Sequence, residues 1–116
     1  MATKNELEPF GRLNVDEAKA KLESGEAVMV DVREPDEYAT VHAKDVRLIP
    51  VNSVMNEVQQ IRDFAGEKEV LFICKSGQRS ALAAEFAIAA GLNDRELYNV
   101  EGGTEAWVEA GYPTGD

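Results

Sequence analysis

The single cysteine of the chain, Cys74, lies where a reactive thiol could be activated by its surroundings. It follows the apolar run 70–73 and begins the polar stretch Cys74-Lys75-Ser76-Gly77-Gln78-Arg79-Ser80, after which an alanine-rich helical pattern starts. In such a loop, backbone N–H groups and the positive end of the helix dipole favour a thiolate over a thiol. An inert buried cysteine is the alternative. The glycine and the two cationic residues beside Cys74 favour a nucleophile.

Three segments of the chain carry a resemblance to one family. The pattern Cys-x-x-Gly-x-Arg at residues 74–79 resembles the active-site loop of the rhodanese-like sulfurtransferases. Residues 30–38 (Val-Asp-Val-Arg-Glu-Pro-Asp-Glu-Tyr) resemble the N-terminal signature of the family, and residues 98–107 (Tyr-Asn-Val-Glu-Gly-Gly-Thr-Glu-Ala-Trp) resemble the C-terminal one. Their order and separation fit a single domain with a core over roughly residues 10–113.

The resemblance implies a two-step covalent reaction. The Cys74 thiolate would take the outer sulfur of a small anionic donor such as thiosulfate, and a thiophilic acceptor, small or protein, would remove it from the persulfide. Gly77 would turn the backbone, Arg79 would bind an oxyanion with two hydrogen bonds, and Lys75 would act as a nearby charge. The implied substrate-binding residues are those of the loop, namely Lys75, Ser76, Gly77, Gln78, Arg79 and Ser80. No metal or organic cofactor is implied.

Two further functional classes share these residues with an active sulfurtransferase. A persulfide carrier in a protein sulfur relay would use the same thiol with protein donors and acceptors. A phosphatase or arsenate reductase on the same scaffold would use Cys-x5-Arg to surround a tetrahedral oxyanion, whereas here four residues separate Cys74 from Arg79. The shorter loop predicts a ring of N–H groups too small for phosphate. A regulatory domain of this family would commonly lack the cysteine.

Size and composition narrow the class of protein independently. The 116 residues fit one domain (1–116), and 44% hydrophobic with 29% charged residues is typical of a soluble globular chain. One cysteine excludes an internal disulfide and favours a reducing compartment, so we predict a cytoplasmic protein, with a periplasmic form cut from a longer precursor as the alternative. One histidine and one cysteine cannot form a Cys/His zinc cluster. A net charge of −10 disfavours nucleic acid or an anionic membrane as partner.

Helices and strands are predicted to alternate along the chain. Asn14 and Glu17 form a capping-box pattern for a first helix that ends at Ser24 and Gly25, and Pro35 fits the first turn of a short helix. Ser53 is predicted to cap a further helix that ends at Gly66. The remaining helices are expected over residues 80–90 and 104–110, and the strands over residues 27–32, 46–51, 70–73 and 97–100.

This alternation predicts an α/β fold with a small, mainly parallel sheet flanked by helices on both faces, which is also the rhodanese-like architecture. Ligands in such folds bind at the carboxyl ends of the strands. Cys74 and the segment Glu101-Gly102-Gly103 each follow a predicted strand, and Asp31 lies at the carboxyl end of another. We therefore expect three loops to converge at one edge of the sheet.

Other conspicuous residues are predicted to be structural. Asp31 and Arg33 match family positions, and an ion pair or loop hydrogen bonds are expected of them, with Asp31 also a candidate cap for the helix near Pro35. His42 lies where this chain departs from the family, because relatives have a Gly-His-x-Pro-Gly-Ala turn in place of residues 41–46. A thiolate needs no base once formed, so His42 is interpreted as structural. Trp107 is expected in the core or in a pocket wall.

Overall fold

The structure is a computed structural model that describes residues 3–4 and 8–115. Within these residues the strands are β1 (Thr3–Lys4), β2 (Gly11–Leu13), β3 (Ala27–Asp31), β4 (Arg47–Leu48), β5 (Glu69–Ile73) and β6 (Leu97–Val100). The α-helices are α1 (Val15–Glu23), α2 (Pro35–Thr40), α3 (Val58–Ala65), α4 (Gln78–Ala89) and α5 (Gly103–Glu109), and a short 3₁₀ helix spans Val51–Ser53.

The strands form one sheet in the order β1-β2-β6-β5-β3-β4. All neighbouring pairs are parallel except β1 with β2, which is antiparallel at the edge of the sheet. The predicted α/β fold with a mainly parallel sheet is therefore confirmed. The short strand β2 was not predicted, because three residues are too few to show a period in the sequence.

Helices cover both faces of the sheet, and each face has its own apolar core. One core joins α3 and α4 to the sheet through buried side chains such as Ile61, Ala83, Ala84 and Ala87. The alanines have no long side chain to hold the helix away, so α4 lies close to the sheet beneath the Cys74 loop. The opposite core joins α1 and α5 to the sheet through Ala18 and Trp107. Burial on both faces explains why the central strands read as continuous apolar runs.

Local signals placed most helix ends correctly. The Asn14 side chain accepts a hydrogen bond from the Glu17 N–H at 2.8 Å and the Glu17 side chain accepts one from the Asn14 N–H at 2.9 Å, so the capping box is confirmed. Pro35 occupies the first turn of α2, and Gly66 ends α3 with a φ of 61°. No helix in residues 3–4 and 8–115 is both long and apolar enough to cross a membrane.

Two predictions between residues 46 and 57 are wrong. Only Arg47–Leu48 is a strand, and Ser53 is not the cap of α3, which begins at Val58. Ser53 instead ends the 3₁₀ helix, and its carbonyl accepts hydrogen bonds from the N–H groups of residues 56 and 57. Val54, which is fully buried, belongs to the turn that follows. A favourable cap residue did not fix the start of the helix, since a cap contributes only about 1 kcal/mol.

Candidate active site

Three loops meet at the carboxyl ends of the central strands, as the order of the elements predicted. The Cys74 carbonyl, directly after β5, accepts a hydrogen bond from the Thr104 N–H at 2.8 Å. The Lys75 carbonyl accepts one from the Glu105 N–H at 3.1 Å. On the other side of β5, the Val32 N–H donates to the Ile73 carbonyl at 3.0 Å. These bonds connect the Cys74 loop to the first turn of α5 and to the segment that follows β3.

The Cys74 sulfur lies at the N-terminus of α4 and is surrounded by hydrogen-bond donors. The Gly77 N–H lies 3.1 Å from Sγ, and the Ser80 hydroxyl lies 3.3 Å from it. Gly77 has a φ of 111°, a conformation that residues with a side chain rarely adopt, and this turn aims its N–H inward. The Cys74 side chain is only 1% exposed. A buried sulfur with this set of donors is prepared to carry negative charge.

Two opposing effects set the acidity of Cys74. Burial raises the pKa of the thiol, because it removes water from the thiolate. The Ser80 hydroxyl and the backbone N–H groups of Ser80, Gly77 and Ser76 lower it by hydrogen bonding to the charged form. The hydrogen bonds outweigh burial, and the pKa of Cys74 is lowered overall. At a given pH below this pKa, a larger fraction of the molecules therefore has Cys74 as the nucleophilic thiolate than would be so for an ordinary cysteine.

The two cations of the loop are paired with carboxylates. Arg79 donates to both oxygens of Glu37, with Nη1–Oε1 and Nη2–Oε2 distances of 2.7 and 2.9 Å. This contact lowers the pKa of Glu37 to about 2 and raises that of Arg79. Lys75 is exposed, and its Nζ lies 3.9 Å from the carboxylate of Glu105. Hydrogen-bond donors without net charge therefore make the direct contacts with Sγ.

The remaining loop residues differ in exposure. Ser76 and Gln78 are exposed at the rim of the loop, and Gln78 is the first residue of α4. Ser80 is fully buried and is the third residue of α4. Of the seven residues singled out in the sequence, Cys74, Gly77 and Ser80 are brought into contact with one another, while the side chains of Lys75 and Arg79 contact carboxylates.

Asp31 and Arg33 form the buried ion pair that the sequence predicted. Arg33 Nη2 lies 2.7 Å from Asp31 Oδ2, Nε lies 3.0 Å from Oδ1, and Nη2 also donates to the Val41 carbonyl at 2.7 Å. Asp31 does not cap α2, because its Oδ1 accepts the Arg33 N–H instead. The capping box of α2 is formed by Glu34 and Glu37. The ion pair connects the end of β3 to the segment after α2.

His42 and Trp107 have structural contacts, as expected. The His42 ring stacks on Tyr38 with centroids 3.7 Å apart, and its Nδ1 lies 2.8 Å from the Tyr38 carbonyl. Trp107 is buried, and its Nε1 donates to the Pro113 carbonyl at 2.7 Å. The turn that departs from the family pattern contains Asp45, a residue other than glycine with a φ of 65°.

Sequence reasoning missed three residues near the loop. Asn99 is fully buried in β6 and contacts both Ser80 and Gly77. An amide within the otherwise mostly apolar strand 97–100 was the available signal, because buried polar groups are usually hydrogen-bonded to a specific partner. Glu37 was noted only as part of the segment 30–38 that resembles the N-terminal signature. Thr104 was read only as the start of the last helix.

An open groove of about 690 Å³ lies between α2 and α5, next to the Cys74 loop. Thr104 Oγ1 is buried there and has no hydrogen-bond partner among the described residues. Cys74 does not line this groove, but its neighbour Lys75 does. The lining residues are Arg33, Glu37, Thr40, Val41, Lys75, Thr104, Glu105, Val108 and Glu109. The groove offers space for a molecule that approaches the loop from the side of α5.

Comparison with known proteins identifies the family of this architecture. The sequence profile of the Rhodanese-like domain family matches residues 14–110. Thiosulfate sulfurtransferase GlpE of Vibrio cholerae is 32% identical over 107 residues, which cover 92% of this chain and 96% of that protein.

Solved structures agree with this match. A rhodanese-related protein of Thermoplasma volcanium has a TM-score of 0.70 and 33% identity, with 89% of this chain and 95% of that one covered. A Rhodopseudomonas palustris protein of unknown function, described as a possible tyrosine phosphatase, has a TM-score of 0.75 and 31% identity, with 88% and 82% covered. The profile covers most of the chain, and the cysteine loop, the ion pair after β3 and the glycine turn before α5 lie together at one sheet edge. The chain belongs to the Rhodanese-like domain family.

Proposed function

We propose that this protein is a sulfurtransferase that works through a persulfide on Cys74. The Cys74 thiolate attacks the outer sulfur of a donor such as thiosulfate, the donor S–S bond breaks, and sulfite leaves with the bonding electron pair. The negative charge then resides on the outer sulfur of the persulfide. The observation that carries the proposal is the set of donors around Sγ, which favours the attacking anion.

In the second step a thiophilic acceptor attacks the outer sulfur. The bond between the two sulfur atoms of the persulfide breaks, and its electron pair returns to Sγ. The thiolate is thereby regenerated, so no external oxidant or reductant is consumed. The groove between α2 and α5 would admit an acceptor beside Lys75. The acceptor is a small nucleophile such as cyanide or, in a sulfur relay, the thiol of a partner protein.

Intact mass measurement tests the proposal directly. Incubation with thiosulfate should add the mass of one sulfur atom, and cyanide should remove it with release of thiocyanate. A protein that stays unmodified by thiosulfate and by other sulfane-sulfur donors would contradict the function. A protein that gains sulfur but passes it to a partner thiol much faster than to cyanide would be a relay carrier.

The role of Arg79 gives a prediction that depends on its contact with Glu37. If the guanidinium binds the sulfonate end of thiosulfate, Arg79→Ala should lower kcat/KM for this donor by about 10²-fold, and Arg79→Lys should restore only part of it. The loss should fall on persulfide formation and much less on sulfur removal by cyanide, since the sulfonate has then left. Single-turnover measurements of the two half-reactions would check this.

Glu37→Gln is the matched variant, because in the structure both terminal nitrogens of Arg79 are occupied by Glu37. The amide weakens this pair yet keeps an oxygen for the Glu34 N–H, which Glu37 accepts at 3.0 Å. If Arg79 binds thiosulfate, the weaker contact with residue 37 leaves its guanidinium free to do so, and KM for thiosulfate should fall. Equal losses of activity in Arg79→Ala and Glu37→Gln would instead mean that the pair only holds the loop.

Loop length gives a prediction about phosphate esters. One structural relative is described as a possible tyrosine phosphatase, so hydrolysis of an aryl phosphate is the alternative activity to test. With four residues between Cys74 and Arg79, we expect no Cys74-dependent hydrolysis of an aryl phosphate, because the loop turns too tightly to surround a tetrahedral phosphate. Phosphate release should be measured for the natural protein and for Cys74→Ser as the background. Turnover that depends on Cys74 at ordinary enzyme rates would favour the phosphatase over the sulfurtransferase.

A further inference from the structure

The buried amide of Asn99 has a defined orientation beneath the Cys74 loop. One end of the amide lies 3.0 Å from the Gly77 carbonyl and 2.9 Å from Glu101 Oε2. Both of these neighbours only accept hydrogen bonds, so this end must be the NH₂ group, Nδ2. The other end, Oδ1, is therefore the acceptor that faces the Ser80 hydroxyl.

The Ser80 hydroxyl has one proton and two candidate acceptors. Its oxygen lies next to Asn99 Oδ1 and also 3.3 Å from Cys74 Sγ. One O–H group makes one strong donation, so it bonds either to the amide or to the sulfur. A neutral thiol is a weak acceptor, whereas a thiolate forms a charge-assisted hydrogen bond. The charge on Sγ therefore decides which of the two acceptors the hydroxyl donates its hydrogen bond to.

We infer that Asn99 is a positioning residue. Its Oδ1 accepts the hydrogen bond of the Ser80 hydroxyl when Sγ is uncharged, and the hydroxyl donates to Sγ instead when Sγ is anionic. The inference rests on the proposed sulfur transfer. When the Sγ–S bond forms, the thiolate pair becomes a bond, the charge moves to the outer sulfur, and the hydroxyl turns to Asn99. When an acceptor breaks that bond, the pair returns to Sγ and the hydroxyl turns back to stabilise it. The hydroxyl rotates, and no proton is transferred.

This arrangement predicts effects of opposite sign at the two residues. Loss of the Ser80 hydroxyl removes a donor to the thiolate, so the pKa of Cys74 should rise. Loss of the Asn99 acceptor removes the competitor for that donor, so the pKa of Cys74 should fall. If Asn99 only supported the loop through the Gly77 carbonyl, its loss would instead disturb the N–H groups around Sγ and raise the pKa.

None of the charged residues on the elements around the Cys74 loop is replaced in these variants. They are Arg79 on α4 with Glu37 on α2, Asp31 at the end of β3 with Arg33, Lys75 with Glu105 on α5, and Glu101 after β6 with Arg12 on β2. Asn99 replacement removes one hydrogen bond to Glu101 and one to the Gly77 carbonyl. Both losses occur whether or not Ser80 is present, so a double-mutant cycle separates them from the proposed effect.

The experiment is the pH dependence of Cys74 alkylation by iodoacetamide in the wild type, Asn99→Leu, Ser80→Ala and the double variant. The chain has one cysteine, so the rate reports the Cys74 thiolate alone. Below the pKa, Asn99→Leu should hold about threefold more thiolate than the wild type, the ratio expected for one neutral hydrogen bond. Ser80→Ala should hold about tenfold less, as expected for a charge-assisted bond. In the Ser80→Ala background, Asn99→Leu should no longer raise the fraction of thiolate.

Two results would overturn the inference. One is a rise in the pKa of Cys74 on Asn99→Leu that is equal with and without Ser80, which would assign Asn99 to loop support. The other is no change on Asn99→Leu in either background. Asn99→Val, which also lacks an acceptor and suits a strand, serves if the leucine variant does not fold. Alkylation requires no sulfur donor, so a failure of this inference is distinct from a failure of the proposed sulfur transfer, which the thiosulfate mass measurement tests.

Discussion

Replacement of Cys74 by serine is expected to abolish both halves of sulfur transfer, with a loss of at least about 10⁴-fold in turnover. The physical reason is the acidity of the nucleophile, because a serine hydroxyl remains protonated at neutral pH while the donors around Sγ favour a thiolate. Thiosulfate should no longer add sulfur to the protein, and cyanide should have nothing to remove. Intact mass and thiocyanate release measure the two steps separately.

The control for this variant is its folding. Cys74 is buried at the end of β5, and serine is close to it in size, so the unfolding midpoint in urea should change little relative to the loss of activity. A second variant, Cys74→Ala, removes the possibility that the serine hydroxyl itself binds the donor. Persistent turnover in either folded variant would disprove the covalent mechanism.

Gly103→Ala is expected to have the largest effect on stability, because the first turn of α5 lies against the backbone of the Cys74 loop. A Cβ at Gly103 would lie 2.5 Å from the Lys75 carbonyl oxygen and 2.6 Å from that of Cys74, and the φ of 57° is itself unfavourable for alanine. Backbone atoms cannot rotate away as a side chain would. The hydrogen bonds from Thr104 and Glu105 to this loop must therefore lengthen, and the loop must shift.

Gly111→Ala is the matched control for Gly103→Ala. Gly111 also has a positive φ, 76°, but a Cβ there would meet nothing within 4 Å. This variant should lose only about 1 kcal/mol of unfolding free energy and keep full activity. Gly103→Ala should lose about 3 kcal/mol or more and lower kcat/KM for thiosulfate by about tenfold or more. Equal effects of the two substitutions on stability and on turnover would show that the close contact of Gly103 with the Cys74 loop does not affect activity.

Helix ends that depend on residues close together in the chain could be predicted from the sequence. The capping box of Asn14 and Glu17, the proline at the start of α2 and the glycine after α3 are contacts or conformations within a few residues. The boundaries of β6 match the predicted strand 97–100. The proposed reaction centre was also local, since Cys74, Gly77 and Ser80 lie within seven consecutive residues and the strand-loop-helix order places them at a helix start.

Alternating strands and helices also determined the parallel sheet and hence the edge at which the loops meet. Local capping preference, by contrast, was wrong at Ser53, which ends a 3₁₀ helix and does not start α3. A cap contributes only about 1 kcal/mol, which is small against the packing of a whole segment, so a good cap residue alone does not place a helix start.

Only the tertiary structure decided which distant side chains pair with the residues of the Cys74 loop. The sequence suggested that the cations Lys75 and Arg79 would supply positive charge, yet Arg79 binds Glu37, which is 42 residues away in the sequence. Long charged side chains reach whichever carboxylate packing brings near, and that choice is not encoded in local spacing. Asn99 contacts Ser80 for a similar reason, because β6 lies beside β5 in the sheet but follows it by a whole helix in the chain. The residues of the proposed reaction centre were therefore predictable from short-range sequence, and their distant partners were set by the packing of elements far apart in the chain.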